Sequence, residues 1–467
     1  MTTHLPKRGH CADAYPRDLP DAGRRSLLKG LLGGGITAAA APWMAPLSAL
    51  AQTTGGTGYK ALVCIFLFGG NDANNLLVPN DTAAYNLYRS ARTNLALPQA
   101  SLLPIAPSNS GGARYGLHPA MAGVQQLFTS GQAALVANVG PLSVPTSKAQ
   151  YQARSVPLPN ALFSHSDQQA AWQSAVLEST GRNGWGGRLM ERLVDGSASN
   201  RGFAALSVSG GNLWEAGDQT LLPYKVGTSG DFGFDFYDPS GTDPLSVAIA
   251  GTLADPRSHL LQQAWLDVMG RSIEVQRVLS AALSASTLAT VFPNTGLGQQ
   301  LRMVARLIAT RATLGLPRQV YFASLGGFDT HGDDQLQRQQ ELFTELSGAM
   351  SAFYQATVEL GVAGQVTQFT ASDFGRTLAS NGQGSDHGWG SHHIVMGGGV
   401  RGGQLVGTFP NHTINGPDDT GSGRWIPSTS VDQYGATLGR WFGASDAQLG
   451  EVFTHLGAFS PDLGFMV

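Results

Sequence analysis

Three apolar runs in this chain each end in a carboxylate, and together they constrain the fold more than any other feature. Ala61-Leu62-Val63-Cys64-Ile65-Phe66-Leu67-Phe68 leads into Gly69-Gly70-Asn71-Asp72. Val320-Tyr321-Phe322-Ala323-Ser324-Leu325 leads into Gly326-Gly327-Phe328-Asp329-Thr330-His331. Val366-Thr367-Gln368-Phe369-Thr370 leads into Ala371-Ser372-Asp373. Short runs rich in β-branched and aromatic residues, closed by Gly or a polar cluster, read as buried strands. Residues 134–139 read as a fourth. Helical patterns lie between and after them: one opening at Leu117-His118-Pro119 with His118 at its cap, then 260–283, 301–314, an amphipathic stretch after His331, 431–442 and 447–456. This alternation predicts an α/β fold, a doubly wound and mostly parallel sheet with helices on both faces. In such sheets ligands bind beyond the carboxyl ends of the strands, so the three acids should converge on one rim. Carboxylates that gather raise one another's pKa, and a bound cation is the usual compensation.

The first 51 residues read as an address rather than as fold. Gly23-Arg24-Arg25-Ser26-Leu27-Leu28-Lys29 resembles a twin-arginine export signal, an Ala- and Gly-rich stretch follows, and Ala49-Leu50-Ala51 fits a small-x-small cleavage site. The expected partner during export is the twin-arginine translocase, and the expected location is the periplasm or outside the cell. The remainder, 52–467, is expected to form a single domain with a Gly-rich insertion near 196–242. The 467 residues carry 29 Lys+Arg and 32 Asp+Glu, for a net charge of −3. The address holds six of the basic and three of the acidic residues, so the rest is more acidic still. That balance argues against a nucleic-acid or anionic-membrane partner. Of two cysteines, Cys11 falls in the address; Cys64, alone in the remainder, reads as a small buried hydrophobe.

Several residues have the chemistry of a site. Asp329 and His331 are two apart, so in an extended segment both reach one side. Asp386-His387-Gly388 and His392-His393 place imidazoles in a Gly-rich loop, where a neutral ring can bind a divalent metal. Ser164-His165-Ser166-Asp167 stands at a helix entrance. Ser164 is either an N-cap or a hydroxyl nucleophile favoured by the free N–H groups there. Arg376, three residues after Asp373, either pairs with the carboxylates or holds an oxyanion. No G-x-S-x-G elbow, Walker loop or H-E-x-x-H motif is present.

The order of these motifs resembles the exported bacterial family known as domain of unknown function 1501, related to the alkaline phosphatase and sulfatase superfamily. The matching segments are Gly-Gly-Asn-Asp, Ser-His-x-Asp, Gly-Trp-Gly-Gly-Arg, Gly-Gly-Phe-Asp-Thr-His, Ser-Asp-Phe-Gly-Arg-Thr and Asp-His-Gly. The resemblance implies an exported hydrolase of phosphate or sulfate esters, acting on a small-molecule or polysaccharide ester. It implies one or two divalent ions (Zn, Mn, Fe or Ca) on Asp72, Asp329, His331, Asp373 and His387 or His392. It also implies Ser164 as nucleophile, with His165 or Arg376 steadying the transferred group. Phe374 departs from the superfamily pattern, since a histidine would stand there. The alternative is a binding or assembly protein on a degenerate site.

Overall fold

The computed structural model describes residues 58–178, 181–194, 200–219, 221–229, 237–238 and 241–467. The predicted export address lies outside the described residues. The described residues between 237 and 266 belong to one compact unit; those of 58–229 and 267–467 make up a second, which holds every candidate site residue. In the first unit, the helix Pro244–Ala254 is capped by Asp243, whose carboxylate accepts from the N–H groups of Leu245 and Ser246.

The described strands are β1 (Lys60–Phe68), β2 (Leu77–Pro79), β3 (Leu103–Ile105), β4 (Tyr115–Leu117), β5 (Ala133–Gly140), β6 (Ala205–Ser207), β7 (Tyr224–Lys225), β8 (Arg318–Gly326), β9 (Val366–Ser372), β10 (Ser391–Gly397), β11 (Leu405–Val406) and β12 (Thr429–Ser430). The central sheet runs β11-β5-β10-β9-β1-β8-β6-β7, with β12 also on β5. β1 is parallel to β8 on one side and to β9 on the other. β10 runs antiparallel between β9 and β5, so the sheet is mostly but not wholly parallel. β2, β3 and β4 form a small separate sheet.

The apolar runs are continuous rather than alternating because both faces of the sheet are covered. Gln368 and Phe369 show this, since neighbours in a strand point to opposite faces. Gln368 donates to the Met350 carbonyl on the helix Gln335–Glu359. Phe369 meets Trp185 of the helix Trp185–Leu193 and Tyr434 of the helix Val431–Phe442. The α/β architecture with helices on both faces is therefore as the sequence pattern predicts.

Local departures have local causes. Leu117 ends β4 instead of opening a helix; His118 is buried, its Nδ1 accepts from Ala120 N–H, and the helix begins at Ala122. The helix expected at 301–314 starts earlier, at Gly296, because Thr295 Oγ1 caps Gly298 N–H. Within the stretch read as a Gly-rich insertion, β6 and β7 extend the central sheet beside β8. No helix among the described residues is long and apolar enough to cross a membrane.

Candidate metal centre

The carboxyl ends of β1, β8 and β9 lie side by side, so the turns that follow them share one rim. Gly69 and Gly70, directly after β1, have φ of +112° and +80°. A Cβ on Gly69 would sit 2.4 Å from Asp329 N, and one on Gly70 2.3 Å from the Phe374 ring. Only glycine lets the three turns pack this closely.

Asp329 stands at the centre. Its Oδ1 accepts from Arg376 Nη1 at 3.0 Å and lies 3.0 Å from His331 Nδ1 and 3.3 Å from His387 Nε2. Its Oδ2 lies 3.5 Å from His165 Nε2. One ligand atom from each of His165, Asp329 and His387 falls within 4.8 Å of the others.

His165 arrives on the helix His165–Ser174. His165 Nδ1 sits 2.7 Å from Asp373 Oδ2, and Gln169, one turn on, donates to the same oxygen at 2.9 Å. Gly69 N–H is the third partner of that oxygen. Its other oxygen, Oδ1, is buried with no partner among the described residues. Burial raises the Asp373 pKa, against the lowering by Gln169, His165 and Gly69. His387 is carried by a short antiparallel ladder in which Thr377 N–H donates to Asp386 O and Gly388 N–H to Gly375 O. Its Nδ1 lies 2.8 Å from the Phe163 carbonyl.

A carbonyl and a carboxylate oxygen only accept, so in a neutral ring the hydrogen sits on Nδ1, at the closer oxygen of each histidine, and Nε2 keeps the lone pair. Two lone pairs and a carboxylate thus face one another. His165 Nε2 is shielded from solvent and makes no hydrogen bond. Such a donor set repels itself unless a cation sits among it, and imidazole nitrogens with a carboxylate suit a divalent metal. The residues fit the divalent ion that the motif resemblance implies. Asp329 feels burial upward, but the Arg376 bond and charge, then His331 and His165, hold its pKa below the usual value. Burial and Arg376 lower that of His331. The Phe374 ring lies against both imidazoles, 4.9 Å from His165 and 4.6 Å from His387.

Four expected site residues have other work. Asp72 is buried; its Oδ1 accepts from Asn74 and its Oδ2 from Arg92 and Gln335, so both oxygens are engaged within the core. His392 is buried in β10, stacked on Phe409, with Nδ1 accepting from Asn138 N–H; its reading as a ligand is corrected to a core histidine. Ser164 Oγ donates to Asp167 at 2.5 Å and pairs with Ser166, not with the cluster. Arg376 is 1% exposed, with its nitrogens committed to Asp329, Gly69 O and Ser385. It holds Asp329 and has no free face for an oxyanion. Gln169, the Phe163 carbonyl and Arg92 escaped the sequence reading. Only the His165–Gln169 spacing of one helical turn was visible there. A cleft of about 620 Å³ lined by Pro145, Thr408, Pro410, Ile426, Pro427 and Phe459 holds none of the cluster residues and no cation.

A mixed α/β sheet with a histidine–carboxylate centre at its strand ends is the class defined so far. The chain belongs to the family described as "Protein of unknown function (DUF1501)", which matches residues 59–420. No curated protein matches it. Among solved structures it is similar to the PsFucS1 sulfatase from Pseudoalteromonas sp. (11% identity, 85% of this chain and 70% of that one, TM-score 0.32). It is also similar to the lipoteichoic acid synthase LtaP from Listeria monocytogenes (8%, 76% and 69%, TM-score 0.30). A third is the phosphonate monoester hydrolase of Agrobacterium radiobacter (13%, 82% and 74%, TM-score 0.27).

Proposed function

We propose that this protein is a metal-dependent hydrolase of phosphate or sulfate esters with one divalent-metal centre. The observation that carries the reading is the shared target of two histidines: His165 and His387 each tie Nδ1 to an oxygen and turn Nε2 on Asp329. The ester class follows from the motif resemblance, not from the geometry. When bound, the ion supplies Lewis acidity and a lowered water pKa. The chain's own residues do the rest. Asp373 and Gln169 orient His165, the Phe163 carbonyl orients His387, and Arg376 fixes Asp329. His331 Nδ1 lies 3.0 Å from Asp329 Oδ1, which sets the ring at the edge of the centre. Burial and Arg376 lower its pKa, which favours the neutral ring that can accept a proton. A covalent route would begin at Ser164, whose proton already points at Asp167.

The test is metal content by plasma mass spectrometry, on protein purified without added metal, with His165→Ala/His387→Ala beside the wild type. Expected is about one ion per chain, lost in the double variant, with ion-dependent turnover of p-nitrophenyl phosphate or sulfate. Ser164→Ala then separates the routes: it abolishes turnover if the hydroxyl attacks and spares it if water does. A folded, metal-free wild type would sink the proposal. A binding protein would take its place, a reading favoured by the engaged Asp72 and by Phe374 where a histidine ligand would stand.

A further inference from the structure

An anionic ester needs a cation at this rim, and Arg376, the arginine marked out by the sequence, has none of its nitrogens to spare. Arg92 is sealed in the core with Asp72. We propose that Arg424 is the anion anchor of the site, gripping the charged oxygens of the phosphate or sulfate group. The inference rests on the reading of the cluster as an ester-hydrolase centre.

Arg424 is built onto the same two residues that set His387. Its Nε donates to the His387 carbonyl at 2.8 Å, and its Cζ lies 5.3 Å from the centroid of the Phe163 ring. The Phe163 carbonyl in turn faces His387 Nδ1. The guanidinium therefore adjoins the cluster by two routes. Its backbone is pinned as well. Asp419 Oδ1, fully buried, accepts from the N–H groups of Gly421, Gly423 and Arg424 at 2.6, 2.8 and 3.0 Å.

What remains free is the useful end. Nη1 makes one long bond, 3.3 Å to the Gly421 carbonyl, and Nη2 makes none among the described residues. No carboxylate among the described residues lies within ion-pair distance of Arg424. The side chain is only half-buried, so its planar fork is open to a ligand. A held but unneutralised guanidinium beside a metal-type donor set has the chemistry that recognises a tetrahedral oxyanion. The competing role is a staple between the loops that carry Arg424 and His387.

The test titrates inorganic phosphate and, separately, sulfate into the purified full chain by calorimetry. Wild type, Arg424→Gln and Arg424→Lys are compared, with metal content and melting temperature measured on each. Expected is a roughly 10- to 100-fold loss of oxyanion affinity in Arg424→Gln at unchanged metal content, with partial recovery in Arg424→Lys. Wild-type affinity in Arg424→Gln would overturn the proposal. Should that variant not fold, phenylglyoxal labelling of the wild type decides. Phosphate or sulfate protects Arg424, mapped by mass spectrometry, if it is the anchor; equal labelling with and without the anion leaves it a staple. The two proposals fail separately. A metal-free wild type that binds phosphate through Arg424 defeats the hydrolase and keeps the anchor; a metal-loaded hydrolase indifferent to Arg424 does the reverse.

Discussion

Asp72 and Asp329 follow neighbouring parallel strands, each behind a Gly-Gly pair and one further residue, in turns that begin beside the register pair Phe68 and Gly326. The first side chain is 2% exposed and the second 47%. Asp72 meets three donors, Arg92, Gln335 and Asn74, and both its oxygens are occupied. Asp329 receives one guanidinium nitrogen on one oxygen, and its other oxygen faces His165. The same local sequence grammar thus yields a structural ion pair on one side and an open carboxylate on the other. What decides is which cation reaches the carboxylate, and whether water is shut out when it does.

The sharpest way to break the comparison is to remove each charge in turn. Asp72→Asn leaves Arg92 buried and unpaired, at a cost of roughly 3–5 kcal/mol in urea denaturation, without touching the metal donors. Asp329→Asn leaves Arg376 its carbonyl partners, costs about 1 kcal/mol or less because that pair is half in solvent, and loses the metal. Equal stability losses in the two variants, or metal loss in a folded Asp72→Asn, would erase the distinction.

Acid should probe the closed side of the molecule through its buried imidazoles. Burial pushes His392, His393 and His412 down from 6.5 to about 3. A folded-state pKa below the unfolded one favours the native state only while the ring is neutral in both. Their contribution is therefore full above about pH 6.5 and is lost as pH falls from there toward about 3. The melting temperature should fall steadily across that window, and His392→Gln or His412→Gln should flatten part of the slope. A melting temperature independent of pH between 6.5 and 4 would show that the unfolded chain gains no more protons there than the folded one, and that these rings are not held neutral by the fold.

The sequence alone carried the sheet and the rim well. Apolar runs closed by Gly and an acid report burial on both faces and a turn, and both are local properties. The donors were harder, because lone-pair direction is set by distant partners. His387 and His392 sit five residues apart in one stretch, yet one faces Asp329 and the other packs on Phe409. The antiparallel entry of β10 separates them: His387 precedes the strand on a loop, and His392 lies within it. Likewise Asp72 and Arg92 are linked by tertiary packing, and no spacing rule connects residues 20 apart. Arg424 drew no attention in a run of Gly, Ser and Asp, since its meaning comes from a carbonyl 37 residues away.

The two acids are also joined, and the joint offers the finest test. Gln335 Nε2 donates to Asp72 Oδ2 at 2.5 Å, and its Oε1 accepts from Ser385 Oγ at 2.9 Å. Ser385 Oγ accepts from Arg376 Nε at 3.2 Å, and Arg376 Nη1 reaches Asp329 at 3.0 Å. Every link is buried except the last acid. The closed side therefore holds the arginine that aims the open side. Gln335→Met removes the amide with little change in volume and leaves the Ser385 hydroxyl hydrogen without its acceptor, at roughly 1–3 kcal/mol. Combined with Asp329→Asn in a double-mutant cycle, it should show a coupling of roughly 0.5 kcal/mol or more, as members of one hydrogen-bond network do. Simple additivity within about 0.5 kcal/mol would mean that the open carboxylate is held by Arg376 alone, whatever happens at Asp72.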